Sequence, residues 1–239
     1  MTEFGSASWP PSPPISTGRL VLREAEARDH AVFMELLGSA EVHTYLGGPR
    51  TRDELDELPQ TPGPDLGVCV VQLGGVMIGE VILRRAVGER GTGKAELGYL
   101  FRPQAWGSGY AAEACEAALG WLDNALPGEP VVLFTQTANA RSMRLAAKLG
   151  FTEVERFRAW DAEQWFGMRP RSRPPAETAP ARATAASGNA GPVEYPAGPS
   201  IRYWARQKRC HRHESAWPSA PTMQASRQIN QFGAVWMES

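Results

Sequence analysis

Cysteine is scarce in this chain: Cys69, Cys115 and Cys210 are the three present in 239 residues. An odd number, widely spaced and without Cys-x-x-Cys, argues against a disulfide framework and against a zinc site, so no metal is expected and a reducing cytoplasm is the default compartment. An excess of one charge sign is missing too. With 25 Lys+Arg against 26 Asp+Glu the formal net charge is -1, which gives no global reason to expect nucleic acid or a membrane as partner. No apolar run approaches the roughly 20 residues needed to span a bilayer. The start of the chain, MTEFGSASWPPSPP, has neither a basic n-region nor an apolar h-region, so the protein reads as soluble and unexported.

What remains is 42% hydrophobic residues, enough for one globular domain with extensions. Residues 1–17 are Pro- and Ser-rich without periodicity and read as a flexible leader. Residues 18–168 carry the patterned part. RLVLREAE alternates as a strand, and Asp29 is placed to cap a helix whose Val32, Phe33, Leu36 and Leu37 form an apolar stripe. TRDELDEL has Thr51 and Glu54 in capping-box spacing. Gly67–Gln72 and Val76–Leu83 flank a compact hairpin turn, and Lys94–Phe101 forms a third strand with Ala95, Leu97, Tyr99 and Phe101 on one face and Glu96, Gly98 and Leu100 on the other. An Ala-rich helix follows, then the apolar run Val131–Thr137, and a strand-helix-strand unit of that length favours parallel pairing. A last helix begins at Asn139 and stops at Gly150, and FTEVERF with QWFGM closes the domain as a hairpin. From residue 169 to 239 the chain reads as a Pro/Ala-rich linker and a basic-aromatic tail without order.

Between the third strand and the Ala-rich helix lies QAWGSGYAAEAC, from Gln104 to Cys115. A helix start leaves backbone N–H groups unpaired and carries partial positive charge, and glycines let an anion approach. A lone Gly-x-Gly is equally a tight turn with an N-cap. A Walker A loop requires Gly-Lys-Ser/Thr, and Gly109 is followed by Tyr110 and Ala111, so that reading fails. GSGYAA satisfies the dinucleotide fingerprint, but the next strand ends in Phe134, Thr135, Gln136 and Thr137, without the acidic residue that would hold a ribose.

The third pattern is Gln-x-x-Gly-x-Gly. Together with TGRLVLRE, ELGYLF, NARSMRLAAKLGF and ERFRAWDAEQWFG, in that order from Thr17 to Met168, it resembles the GNAT family of N-acetyltransferases, in particular the branch of ribosomal-protein and other N-terminal acetyltransferases. The resemblance implies an α/β (α+β) fold: a single mixed, mostly antiparallel twisted sheet with a parallel, splayed strand pair and flanking helices, between disordered termini. It implies acetyl-CoA as donor and a primary amine as acceptor, either a small molecule or a protein N-terminus, with direct transfer in a ternary complex by a monomer or homodimer.

On the matching positions, the resemblance places the diphosphate on backbone N–H groups at Gln104 and from Gly107 through Ser108, Gly109 and Tyr110 to Ala111. The pantetheine arm would lie along Leu100, Phe101 and Arg102 as an added strand. Glu96 is the candidate general base, with an ordinary salt-bridge carboxylate as the other reading, and Glu80 is a second candidate. Many members carry a Tyr seven residues after the Asn of the later helix; here that position is Ala146. Ser142 is the alternative partner for the leaving thiol, a cofactor contact, or a first-turn residue bonding the backbone, and contact with the cofactor is favoured because an unactivated serine is a poor acid. Asn139 reads as N-cap, pantetheine contact or both. Cys115 and the histidines His30 and His43 read as packing or surface residues. Two rival functions stand beside the enzyme: a non-catalytic acyl-CoA-binding module, prompted by Ala146, and a nucleic-acid role for Ile201–Trp217.

Overall fold

The computed structural model describes residues 2–4, 7–11, 14–63, 66–87 and 90–170. The linker and tail expected after β10, the closing strand, lie outside the described residues. In chain order the elements are β1 (Thr2–Phe4), β2 (Ala7–Trp9), β3 (Ile15–Ser16), β4 (Leu20–Arg23), α1 (His30–Gly38), α2 (Arg52–Asp56), β5 (Val68–Leu73), β6 (Val76–Arg85), β7 (Ala95–Phe101), α3 (Tyr110–Ala125), β8 (Val131–Gln136), α4 (Ala140–Lys148), β9 (Thr152–Ala159) and β10 (Ala162–Arg169). The main sheet runs β3-β4-β5-β6-β7-β8-β10-β9. β7 and β8 are its parallel pair, and its other pairings are antiparallel. Among the described residues no helix is long and apolar enough to cross a membrane.

The two larger of three core clusters sandwich this sheet. On one face Leu97, Phe101 and Leu133 pack with Cys115, Ala118, Leu119 and Leu122 of α3. On the other, Phe33 and Leu36 of α1 cover Val70 and Ile82. Each such Leu, Phe or Val contributes about 1.5–3 kcal/mol on full burial. Capping is less uniform. Thr51 and Glu54 form the expected capping box on α2, but Asp29 does not cap α1 with its side chain. Its carboxylate is buried in a two-pronged pairing with Arg23, at 2.7 and 2.8 Å, because an unpaired buried guanidinium costs more than an uncapped helix start.

The leader expectation is also corrected. β1 and β2 form a small antiparallel pair, and β3 pairs with β4. Trp9 is wholly buried, donates from its indole nitrogen to the Gly67 carbonyl at 2.9 Å, and packs on Trp121 with ring centroids 5.0 Å apart. Proline and serine dominate the composition there, yet Trp9 and the two prolines after it, Pro10 and Pro11, are all buried.

The parallel pairing sets the site. β7 and β8 are in register only at Ala95–Val131 and Glu96–Val132, and the strands splay beyond. β6 stays paired with β7 as far as Phe101. From Leu97 onward β7 is therefore held on one side and open on the other.

Candidate active site

The glycine loop comes first in the site because it follows the open strand directly. After a 3-10 turn at Pro103–Ala105, Gly107 and Gly109 take φ of 78° and 81°, a left-handed conformation that glycine adopts without penalty. Gly109 is the N-cap of α3 and no side chain caps that helix. Among the described residues, the backbone N–H groups of Gly107 through Ala112 have no acceptor, whereas Trp106 donates to Pro103 and Glu113 to Gly109. A Cβ built on Gly107 would meet nothing within 4 Å. Unpaired donors, a helix dipole and open space give the loop what an anion cradle needs.

Side chains hold the cradle from outside. Arg19, just ahead of β4, donates to the Ser108 carbonyl at 3.0 Å and to Glu113 at 2.7 Å, and its guanidinium lies 4.5 Å from the Tyr110 ring centroid. Trp106 donates from its indole nitrogen to the Phe101 carbonyl at 2.8 Å. Arg141 sits over the Trp106 ring at 4.5 Å. Trp106 and Tyr110 thus anchor the loop, Arg141 brings positive charge to it, and the charge of Arg19 is met by Glu113.

The open edge of β7 offers backbone groups in alternation. Arg102 donates its N–H to Ile78 of β6, and in an antiparallel ladder every second residue faces the same partner. Leu100 and Arg102 therefore point their main-chain groups at β6, and of the three residues expected along the pantetheine Phe101 faces the open edge. The groups on the open edge belong to Leu97, Tyr99 and Phe101, and the Phe101 carbonyl is taken by Trp106. The Arg102 side chain pairs with Glu35 at 2.7 Å.

Across the splay, the Asn139 side chain accepts from the Ser142 N–H at 3.1 Å, so Asn139 caps α4. The hydroxyls of Tyr99 and Ser142 hydrogen-bond to each other, and burial pushes the Tyr99 phenol above its ordinary value. Ala146 is wholly buried in the core, so on this helix the position where many members carry a Tyr does not open on the cleft. Cys115 is buried in the same core, and burial pushes its thiol up, away from the nucleophilic thiolate.

The cleft between β7 and β8 has a volume of about 780 Å³. Glu96, Tyr99, Gly107, Gly109, Asn139 and Ser142 all line it. Glu96 is buried, and both of its oxygens lie on Nη2 of Arg84, at 3.0 and 2.8 Å, so the cross-strand ion pair and the cleft-lining carboxylate are one group. Glu80 differs. It is wholly buried outside the cleft lining, neither oxygen has a hydrogen-bond partner, and burial pushes its carboxyl up to about 8. Neutral and sealed at ordinary pH, Glu80 is no base for a substrate in the cleft. His43 is buried beside the Ser39 carbonyl and His30 lies against the Gln60 carbonyl; neither lines the cleft. Among the described residues no group of His, Cys, Asp or Glu could hold a metal ion.

Sequence reasoning missed Arg19, Arg141 and the pairing of Tyr99 with Ser142. Alternation puts Tyr99 on the helix-covered face, but a strand-to-helix contact spanning 43 residues has no local signal.

Comparison with known proteins agrees with this arrangement. The family profile described as acetyltransferase (GNAT) domain matches residues 19–152, more than half of the chain. YkkB of Bacillus subtilis (strain 168) is 28% identical over 155 residues, which are 62% of this chain and 90% of that protein. An acetyltransferase (GNAT family) from Bacillus anthracis superposes with a TM-score of 0.53 at 22% identity, covering 66% of this chain and 98% of that one. The aminoglycoside acetyltransferase AAC(6')-Ib, solved in complex with coenzyme A, gives 0.53 at 21% identity, covering 64% of this chain and 95% of that one. At such identities the structures share a fold. The profile match, spanning the loop and both splayed strands, carries the assignment: the chain belongs to the acetyltransferase (GNAT) family and is an acyltransferase enzyme.

Proposed function

We propose that the protein transfers an acetyl group from acetyl-CoA to a primary amine directly, with both substrates bound in the cleft. The observation that carries this reading is the row of unpaired N–H groups from Gly107 to Ala112 beside the open edge of β7. A diphosphate fits the row, an extended amide-bearing arm fits the edge, and the positively charged Arg141 lies beside the same loop. Acetyl-CoA combines those features and supplies the thioester carbon. A neighbour solved with coenzyme A supports the same donor. The acetyltransferase named for aminoglycosides and RimL, named as a ribosomal L7/L12 alpha-N-protein acetyltransferase, support an amine acceptor. RimL matches at 15% identity, so it weighs little for a particular branch.

Each catalytic need has a residue. Glu96 takes the proton from the incoming ammonium through water, its remaining lone pairs lying beside those engaged by Arg84. The backbone N–H groups of Tyr99 and Phe101, on the open edge, are placed to polarise the thioester carbonyl. As the C–N bond forms and the C–S bond breaks, the Ser142 hydroxyl donates its proton to the departing sulfur and is restored by the second proton that the nitrogen releases on becoming an amide. Tyr99 makes that possible by orientation. A phenol is a better donor than an aliphatic alcohol, so Tyr99 donates to Ser142 and leaves the serine proton directed into the cleft. Titration calorimetry with acetyl-CoA, followed by thiol release in the presence of amines, tests the reading. Folded protein that binds no acetyl-CoA would end it.

A further inference from the structure

The half of the cleft away from the glycine loop is built from side chains. Tyr45 and Leu46, from the segment after α1, line it together with Leu100 of β7, Phe134 of β8 and Trp160 at the tip of the β9–β10 hairpin. Phe134 is backed by Phe166, with ring centroids 4.7 Å apart and planes 14° from parallel. The acceptor wall is therefore an aromatic and aliphatic surface.

Negative charge is nearly absent from it. Among the described residues, Glu41 and Glu96 are the acidic residues of the cleft lining, and Glu96 is engaged by Arg84. Asp53, Glu54, Asp56 and Glu57 do not line it; Asp56 pairs with Arg52, and Glu54 completes the cap of α2. Arg141 and Arg144 add positive charge at the other end. A polycation bound here would leave several ammonium groups dehydrated without a carboxylate each, an arrangement that is strongly disfavoured.

Trp160 points to what is bound instead. Ala159 pairs with Ala162, so Trp160 and Asp161 form a two-residue turn. Both have positive φ, 51° and 58°, in a turn type that favours Asn and Gly. Gln164, itself buried, donates its side-chain amide to the Ala159 carbonyl at 3.1 Å and fixes the tip. The result is a large ring, 50% exposed, held in an unfavourable conformation at the mouth of the cleft. Non-glycine residues kept at positive φ cluster where function requires them.

On the basis of the acetyl-transfer reading above, we propose that the acceptor is a monoamine whose nitrogen adjoins an aromatic or other bulky apolar group, gripped by Trp160, Tyr45 and Phe134. The single ammonium is met by Glu41 and by aromatic faces before it loses its proton. Two sources share this chemistry: a small arylalkylamine, and a peptide N-terminus whose first residue is aromatic.

The test uses the full chain with saturating acetyl-CoA and follows thiol release. The acceptors are 2-phenylethylamine, n-butylamine, spermine, kanamycin and two peptides that differ only in Phe or Ser at the first position. The aromatic member of each matched pair should lead in kcat/KM by about tenfold, with spermine and kanamycin well behind. Trp160→Gly should raise KM for the aromatic acceptors by about tenfold. It should spare kcat, acetyl-CoA affinity and thermal stability, because glycine accepts the positive φ. The better of 2-phenylethylamine and the Phe peptide identifies the source. Preference for spermine or kanamycin, or equal sensitivity of n-butylamine to Trp160→Gly, overturns the proposal while the transfer reading stands. If acetyl-CoA binds but no amine is turned over, the same ranking must appear in amine affinities for the CoA-loaded protein, or the proposal falls. Absence of acetyl-CoA binding sinks both.

Discussion

The two halves of the cleft are built from different materials. At the loop end, the surface on offer is backbone: the unpaired N–H groups from Gly107 to Ala112 and the open edge of β7. At the far end the lining offers side chains, Tyr45, Phe134 and Trp160 among them, and Glu96 of the same lining is paired with Arg84. A backbone site keeps its chemistry under most substitutions and fails when the glycines that shape it are lost. A side-chain site changes ligand with one residue. A single fold can therefore keep its donor and exchange its acceptor.

That contrast is broken most strongly at the carboxylate. Glu96→Gln should lower kcat by roughly 10³-fold, within the range of general-base removal, and leave the acetyl-CoA dissociation constant unchanged in calorimetry. Unaltered kcat would mean that Glu96 serves the ion pair alone. The reciprocal change is Gly109→Val. A β-branched residue at φ of 81° is strained and displaces the loop, so acetyl-CoA should bind about 100-fold more weakly. Any residual activity at saturating donor should keep the acceptor ranking of the wild type. If Gly109→Val binds acetyl-CoA normally, the anion cradle is misplaced.

Legibility in the sequence divides along the same line. The sheet, the parallel pair and the loop follow from periodicity and glycine spacing, because backbone recognition leaves a pattern in the chain. Glu96 and Ser142 were legible as candidates and do share the cleft. Their partners were not: Arg84 can be deduced only once β6 and β7 are in register, and Tyr99 reaches Ser142 from another element. The start of the chain misled for a related reason. Composition averages over residues, and the burial there falls on Trp9 with Pro10 and Pro11, a Pro-rich stretch that composition reads as open chain.

Glu80 sharpens the comparison from beneath the acceptor half. It sits opposite Leu100 on the β6–β7 ladder, sealed from the cleft that Glu96 enters. Its carboxyl lies at about 8 in the folded protein against an ordinary 4.5, so between those values the unfolded chain has released a proton that the folded chain keeps. Stability is then greatest below the unfolded value and is lost as pH rises through the window, by at most about 1.4 kcal/mol per pH unit. From pH 6 to pH 7.5 the wild type should lose about 2 kcal/mol relative to Glu80→Gln in urea unfolding, read as a difference because His43, whose pKa burial lowers, adds the same slope to both proteins. Parallel slopes for the two proteins would show that Glu80 ionises freely in the fold.

The smallest expected effect tests the seam between the halves. Tyr99 holds Ser142 by its phenol, and because burial raises that phenol's pKa it remains a donor across the working range and releases no proton itself. Tyr99→Phe keeps the packing and frees the serine hydroxyl to turn away, so kcat should fall by about tenfold, the worth of one oriented hydrogen bond. KM for acetyl-CoA should stay constant. Ser142→Ala should match that loss. In the double variant the two losses should not multiply, since both remove the same proton path. Full multiplicativity would separate the two residues and leave Tyr99 a packing residue, with the thiol protonated by some other group.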